Sequence, residues 1–386
     1  NQLTLPAAPA SLTVSNVGTT TLTLSWPSVG GLTGYQLKYS TNPDGEGGVT
    51  QDINDGTATT VNVSGLTQNT TYYFKLRARN VTGLSEPASA QQLTLPNPPT
   101  ALNATNVADV SLTLNWTSPG GSLTGYELKY STNPDAEGGT TTNLGDVTST
   151  AISGLTPNTT YYFKLKANNA TGGSDYSAIL PQLTLPAQPQ NLAVQGGSVT
   201  TTGLTLTWTA PASNPASYEL TISPNPGVSL PITIAGTATS YAVAGLSQNT
   251  NYTFELRAKN TTGLSSPASV QQLTFPNPPS GLAVQGGSVA ATGLTLTWTP
   301  PGGSLEKYEL LYSTAADATG GSVLDVAGDA NSFAVSGLLP NTTYYFKLRA
   351  KNATGFSDFT PVVQQLTLPA APDGFVIQGT PTVSAI

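Results

Sequence analysis

The chain of 386 residues contains no cysteine, no histidine and no methionine. Without cysteine, disulfides and thiolate metal sites are excluded. Without histidine, the chain lacks the commonest general base and the commonest metal ligand. The missing methionine indicates that the initiator has been removed, most simply together with a secretory leader. We therefore expect an exported protein.

Charged residues are also scarce, at 9% of the chain, and the net charge is −7. An acidic chain without a cluster of lysine and arginine is a poor nucleic-acid binder, because phosphate neutralisation supplies most of that affinity. No apolar run approaches the ~18 residues that a membrane-spanning helix needs, so we expect no membrane span in this segment. The 16 Tyr and 4 Trp, with abundant Thr, Leu and Val, instead suit pleated, half-buried strands.

The sequence repeats about every 90 residues, as the tryptophans at 26, 116, 208 and 298 show. The phrase "QLTLP" or a close variant ends each repeat, and a proline opens the next one. These marks divide the chain into 1–6 (the final strand of a preceding repeat), repeats one to four at 7–96, 97–186, 187–276 and 277–369, and 370–386 (the first strands of a following repeat, or a donor strand).

Within each repeat, apolar and polar residues alternate with a period of two. In "TLTLSW" the residues Leu22, Leu24 and Trp26 share one face, and in "YYFKLRARN" Phe74 and Leu76 do the same. Turn-forming segments such as "NPDGEGG" separate these runs, and no window of helical length has a 3.6-residue period. The pattern predicts an all-β chain of seven-stranded antiparallel sandwiches.

Several motifs at fixed spacing resemble the fibronectin type III domain, in the form found in extracellular bacterial or archaeal surface proteins. They include Gly34–Tyr35, "GLTQNTTY" at 65–72 and "ARNVTGLS" at 78–85. The resemblance covers all four repeats. It implies a tryptophan packed between the two sheets, at Trp26, Trp116, Trp208 and Trp298, and a tyrosine corner, at Tyr72, Tyr161, Tyr252 and Tyr344.

Prolines bracket each junction between repeats, as in Pro96-Asn97-Pro98. Proline has no amide donor and fixes φ, so we expect short, stiff joints and a rod of tandem repeats. The partial segments at the two ends leave two interpretations open. Either the chain is an excerpt of a longer array, or the end strands pair with neighbouring chains by strand addition.

No catalytic constellation is evident, and we predict neither an enzyme nor a cofactor. Carboxylate pairs such as Asp44/Glu46 and Asp135/Glu137 lie in glycine-rich loops, with no apolar pocket to raise a pKa. A calcium site is conceivable there, because carboxylates and carbonyls are hard oxygen ligands. The fourth repeat replaces the acidic pair, and a solvated turn is the favoured interpretation.

Basic residues concentrate on one kind of strand. We call the following set the basic face, a candidate lateral contact surface: Lys75, Arg77, Arg79, Lys164, Lys166, Arg257, Lys259, Lys347, Arg349 and Lys351. Either these side chains form weak cross-strand pairs on a solvated face, or they form a stripe that docks another rod or an acidic polymer.

Asn-x-Ser/Thr sequons are frequent. By the strand alternation, Asn80 and its equivalents point inward and are predicted to hydrogen-bond the next turn. Outward or turn positions are the candidate glycosylation sites, at Asn62, Asn69, Asn115, Asn158 and Asn341.

Three functions remain. The first is a structural subunit of an extracellular filament or cell-surface appendage that self-associates into a polymer. The second is an adhesin-type array that binds other surface proteins or glycans. The third is the spacer region of a larger secreted enzyme that acts on polysaccharide.

Overall fold

The computed structural model describes residues 4–44 and 47–374, and every regular element in these ranges is a β-strand. The chain divides into two compact units. The first comprises residues 1–186 and 261–263, and the second comprises 187–260 and 264–386. Repeats one and two therefore fall in the first unit, and repeats three and four fall in the second almost entirely. The predicted end segments lie largely outside the described residues, at 1–3 and 375–386.

Repeat one contains eight strands, one more than predicted, because a two-residue strand follows its longest strand. The strands are β1 Thr13–Ser15, β2 Leu22–Ser25, β3 Gly34–Ser40, β4 Val49–Ile53, β5 Thr60–Val63, β6 Thr71–Asn80, β7 Gly83–Leu84 and β8 Ala88–Leu93. Repeat two has the predicted seven, which are β9 Thr100–Thr105, β10 Ser111–Thr117, β11 Gly125–Ser131, β12 Thr140–Leu144, β13 Ser149–Ser153, β14 Thr160–Asn168 and β15 Leu180–Leu183.

The second unit follows the same plan. Repeat three contains β16 Gln190–Val194, β17 Gly203–Thr209, β18 Ser217–Ser223, β19 Ile232–Ala235, β20 Ser240–Ala244, β21 Asn251–Lys259 and β22 Ala268–Leu273. Repeat four contains β23 Ser280–Val284, β24 Gly293–Thr299, β25 Lys307–Ser313, β26 Ser322–Ala327, β27 Ser332–Ser336, β28 Thr343–Lys351 and β29 Val363–Leu366.

Each repeat pairs a three-stranded sheet with a larger one, and all the pairings are antiparallel. In repeat two the small sheet has the order β13-β10-β9 and the large sheet has the order β12-β11-β14-β15. The register places Lys129 opposite Lys164 and Glu127 opposite Lys166 on the outer side of the large sheet. The predicted antiparallel sandwich is therefore confirmed.

The alternation read from the sequence fixes which side chains enter the core. On β14, Phe163, Leu165 and Ala167 are fully buried, whereas Lys164 and Lys166 between them are only half-buried. Each repeat has its own core cluster of buried residues around its tryptophan. A two-layered core is thus closed within each block of about 90 residues, as in other small domains.

Aromatic side chains occupy the positions that the resemblance implied. Trp116 packs edge-on against Tyr126 with ring centroids 5.3 Å apart, and the other repeats have the same pair. The hydroxyl of Tyr161 accepts a hydrogen bond of 3.1 Å from the amide of Thr156. Tyr72, Tyr252 and Tyr344 accept equivalent bonds from the residue five positions upstream, at 3.0, 2.9 and 3.1 Å.

Candidate functional site

The joint between repeats one and two is held by a side chain in the turn after β14. The amide nitrogen Nδ2 of Asn169 donates to Oδ1 of Asn69 at 2.9 Å and to the carbonyl of Thr94 at 2.8 Å. Its Oδ1 accepts from the backbone amides of Thr171 and Gly172 at 2.9 and 3.1 Å. Asn169 is only 5% exposed, so one buried amide shapes the turn of its own repeat and binds the preceding repeat.

Asn69 is the partner of Asn169 in repeat one. It lies in the turn before β6 with φ of 49°, a left-handed conformation that asparagine tolerates better than most residues. Its Nδ2 donates to the carbonyl of Gly120 at 2.8 Å. A Cβ added to Gly121 would lie 2.3 Å from this Nδ2, so the turn of repeat two requires glycine where it meets Asn69.

Three further side-chain bonds cross the same joint. Thr171 donates through Oγ1 to the carbonyl of Leu93 at 2.8 Å, and Gln92 donates through Nε2 to Oγ1 of Thr171 at 3.0 Å. Gln68 donates to the carbonyl of Pro119 at 3.0 Å. We call these crossing bonds, with those of Asn69 and Asn169, the clasp.

The clasp recurs inside the second unit, between repeats three and four. Asn352 donates to Oδ1 of Asn249 at 2.9 Å and to the carbonyl of Thr274 at 2.8 Å, and it is 1% exposed. Thr354 donates to the carbonyl of Leu273 at 2.8 Å. Two joints therefore use the same residue types at equivalent positions.

The start of the chain makes one bond of the same kind. Asn80 donates to the carbonyl of Thr4 at 2.9 Å, and its Oδ1 accepts from the amides of Thr82 and Gly83. Thr4 stands in "QLTLP" where Thr94 stands in its own copy of that phrase. Thr4 thus binds Asn80 of repeat one in the way that Thr94 binds Asn169 of repeat two. The assignment of residues 1–6 to a preceding repeat stays a prediction.

The sequence predicted part of this site and missed the rest. The alternation correctly turned the asparagine after β14 inward, toward the following turn. The bond to the previous repeat was missed, because it joins residues 100 positions apart. The signal available was the recurrence of asparagine in both turns of every repeat. The stiffness expected of the proline-bracketed joints stays a prediction.

The candidate glycosylation sites differ in accessibility. Asn62 is exposed on β5 and Asn341 is exposed in its turn, whereas Asn115 and Asn158 are half-buried. Asn69 is 9% exposed and its amide is engaged in the clasp, so the expectation that this turn position is open was wrong. Glycosylation itself stays a prediction.

The basic face lies on the outer side of the large sheets, where it is extensively paired. In repeat two, the Nζ of Lys166 lies 3.1 Å from Glu127, which is directly opposite in the register. Lys129 and Lys164 are like charges directly opposite each other, and Glu137 bridges them at 2.9 and 2.6 Å. This arrangement corresponds to the cross-strand interpretation.

Repeats three and four use the same chemistry on their large sheets. Arg349 binds Glu309 across the strands, and the ammonium of Lys351 lies 2.6 Å from Glu306. In repeat three the ammonium of Lys259 lies 2.6 Å from Glu219. These pairs are partly exposed, so each adds little to stability.

Aromatic rings cover part of the basic face in the even-numbered repeats. The ammonium groups of Lys129, Lys164 and Lys166 lie 4.9–5.4 Å from the ring centroid of Tyr176. The Tyr176 hydroxyl donates to Glu127, and this bond, with Lys166 nearby, holds the pKa of Glu127 below its usual range. Burial, followed by the bond to Glu127, raises the pKa of the Tyr176 hydroxyl.

The acidic loops that suggested calcium receive lysine instead. The Nζ of Lys164 donates to the carbonyl of Asp135 at 2.8 Å, and Lys347 donates to the carbonyl of Asp317 at 2.9 Å. Lys75 makes the same bond to Asp44. Among the described residues, no group of three or more carboxylates could hold a metal ion; Glu46 lies outside them.

Together these features define a class of protein, namely tandem antiparallel β-sandwiches, each with a similar core. The fibronectin type III model matches residues 7–92, 97–182, 187–272 and 277–365. The chain belongs to the fibronectin type III family. Modules of this family are typically structural and non-catalytic. Within the part of the chain that the structure describes, no helix is long and apolar enough to cross a membrane.

Several curated proteins are similar to the chain. It is 30% identical to the Kelch domain-containing protein SSO1033 of Saccharolobus solfataricus over 91% of this chain and 46% of that protein. It is 28% identical to Tenascin-R of Gallus gallus (77% of this chain, 21% of that protein). It is 29% identical to Endoglucanase B of Cellulomonas fimi (64% of this chain, 25% of that protein). The chain thus spans about a fifth to a half of these relatives.

Among solved structures, a two-domain fibronectin type III segment from chicken tenascin is 25% identical to the chain, covers 46% of this chain and 99% of that segment, and has a TM-score of 0.33.

Proposed function

We propose that the chain is a structural subunit of an extracellular filament or cell-surface appendage, in which consecutive repeats are locked end to end. The observation that carries this proposal is the clasp. It occurs with the same bonds between repeats one and two and between repeats three and four. A buried, fully bonded amide at a joint restricts bending more than proline brackets alone.

The last repeat carries the acceptor half of a further clasp. Asn341 and Thr367 occupy the positions that Asn249 and Thr274 occupy in the bonded joint. The backbone amide of Asn341 binds the carbonyl of Leu368 at 3.1 Å, as that of Asn249 binds Phe275 at 3.0 Å. The turn is therefore preformed to accept the asparagine of another fibronectin type III repeat, in the same chain or in a neighbouring one.

Electron microscopy of the native material tests the proposal. Long, ordered fibres are expected, and Asn341→Ala is expected to shorten or abolish them. Asn62→Ala is the matched control, because Asn62 is exposed and lies outside the clasp. Single, unconnected molecules in native material would contradict the filament role. Fibres unchanged by Asn341→Ala would contradict end-to-end assembly through the clasp.

Two alternative functions are each supported by a similar protein. The similarity to Endoglucanase B favours a spacer region of a larger secreted, polysaccharide-active enzyme. The similarity to Tenascin-R favours an adhesin-type array. The turns after the long strands are nearly uniform, with "NATGGS" and "NATGFS" in repeats two and four. In the clasped joints their asparagines are buried and bonded to the preceding repeat, which leaves these turns less free for a receptor.

A further inference from the structure

A cleft opens at the same place in repeats one and two, between the turn after the third strand and the loop before the longest strand. Its volume is about 360 Å³ in repeat one and about 290 Å³ in repeat two. In repeat two the argument involves Tyr130, Ser131, Asn133, Gly139 and Tyr161. Repeat one has the same residue types at the equivalent positions.

Two tyrosines line the cleft. The rings of Tyr130 and Tyr161 lie 6.4 Å apart at an angle of 59°, and Tyr130 stacks on Phe163 at 5.5 Å. The hydroxyl of Tyr161 is bonded to Thr156 in the tyrosine corner. Tyr130 is half-buried, and its hydroxyl has no hydrogen-bond partner within the described ranges. The cleft therefore combines fixed aromatic rings with a hydroxyl that a ligand can bind.

The turn that forms one wall is preorganised. The amide of Asn133 donates to Oγ of Ser131 at 3.1 Å, and Nδ2 of Asn133 donates to the carbonyl of Glu137 at 2.9 Å. A Cβ added to Gly139 would lie 2.2 Å from the carbonyl oxygen of Tyr130, so this wall requires glycine. The cleft is thus bounded by a bonded turn without a bulky side chain.

The lining is neutral as well as aromatic. Among the residues that the structure describes, both sets of lining residues consist of tyrosine, serine, threonine, asparagine, glycine and aliphatic residues, without a charged side chain. A charged ligand would find no side-chain counter-charge among these described residues. A neutral ligand with an apolar face and several hydroxyls would match it, because apolar C–H groups pack on aromatic rings while hydroxyls exchange hydrogen bonds with polar groups.

We propose that the clefts at Tyr39/Tyr72 and Tyr130/Tyr161 bind a neutral saccharide. This inference does not rest on filament assembly, and it gives a location to the glycan partner expected from the sequence. The volumes lie near the lower end of the range for small-molecule sites, about 300–1,000 Å³, which suits one small saccharide unit in each cleft.

Repeat three provides an internal comparison. Ile222 stands where repeat two has Tyr130, and Pro224 stands where it has Thr132, although Tyr252 is retained. The fold therefore accepts isoleucine at this position. We expect repeat three to lack the saccharide site.

The test is saturation-transfer-difference NMR on the full chain with neutral hexoses and their α- and β-linked disaccharides. Proton signals of at least one saccharide are expected to be saturated. The double variant Tyr39→Ile/Tyr130→Ile is expected to weaken binding at least tenfold. The matched control is Tyr73→Ile/Tyr162→Ile, because those tyrosines lie on the neighbouring strands β6 and β14, outside both clefts.

Unchanged thermal midpoints show that both double variants fold. Tyr130→Phe, combined with Tyr39→Phe, keeps the rings and removes the hydroxyls, so it is expected to bind more weakly than the parent and more tightly than the isoleucine variant. A parallel arm with the same saccharide attached to a carrier protein distinguishes free sugar from glycoprotein glycan as the source. No transfer to any saccharide in either arm, or equal binding by the isoleucine and control variants, would overturn the proposal.

Discussion

Asn169→Asp separates the two roles of the clasp asparagine. The variant keeps an oxygen that can accept from the amides of Thr171 and Gly172. It replaces the Nδ2 donor by a second oxygen, which then faces Oδ1 of Asn69 and the carbonyl of Thr94 at 2.8–2.9 Å. The local turn is preserved, whereas both bonds to the preceding repeat are lost and become oxygen–oxygen contacts.

The size of the effect follows from these two bonds. Removing one partner of a buried hydrogen bond costs about 1–3 kcal/mol, because the other partner is left unsatisfied. With two bonds lost, we expect a destabilisation of about 2–6 kcal/mol in the first unit. At about 2–4 °C per kcal/mol for 150–250 residues, its unfolding midpoint falls by about 4–24 °C.

Scanning calorimetry of the full chain measures this shift, and the second unit serves as an internal reference. Asn62→Asp is the control, because it adds the same charge at an exposed position. The Oδ1 of Asn62 accepts a hydrogen bond from Oγ1 of Thr23 at 2.9 Å, and a carboxylate oxygen of the aspartate can accept the same bond. Its midpoint is expected to stay within about 1 °C of the parent.

The pH dependence gives a second signature. The introduced carboxyl group at position 169 is buried among oxygens, so its pKa in the folded state rises above the unfolded value. As the pH falls through that raised pKa, the folded state takes up a proton and regains a donor. The deficit of Asn169→Asp should therefore shrink toward pH 4. A shift equal to the Asn62→Asp control, or a deficit that grows on acidification, would refute the role assigned to the clasp.

Three further predictions concern the core, a charged pair and modification. Trp116→Ala should cost about 3–5 kcal/mol and unfold its own repeat, leaving the others mostly intact; an unchanged single calorimetric transition would contradict this. Tyr176 and Lys166 hold the pKa of Glu127 low, so Glu127 contributes to the free energy of unfolding above about pH 4.3, and this contribution is lost as the pH falls below that value. In Glu127→Gln, the free energy of unfolding measured with urea should therefore depend less on pH between pH 6 and 3. When this chain is produced in a glycosylating host, its intact mass should exceed the 39.5 kDa of the bare polypeptide, and Asn62→Gln should remove one glycan.

Local alternation let the sequence by itself determine the class of fold. Residues such as Leu114, Trp116 and Phe163 could be assigned to the core because a strand turns successive side chains to opposite faces. The tyrosine corner is also local, since Tyr161 bonds a residue only five positions away. The length of the period and the absence of cysteine and histidine were equally available without coordinates.

Only the tertiary structure decided which polar groups meet. Asn69 looked like an open turn position, yet it is buried because the next repeat packs against it, and nothing near it in sequence signals that contact. The sequence left open whether Lys164 pairs across strands or docks a partner, whereas the strand register sets it opposite Lys129 and brings Glu137 between the two. Core burial follows from a periodic pattern in one strand, whereas these contacts depend on how separate strands and repeats are positioned in space.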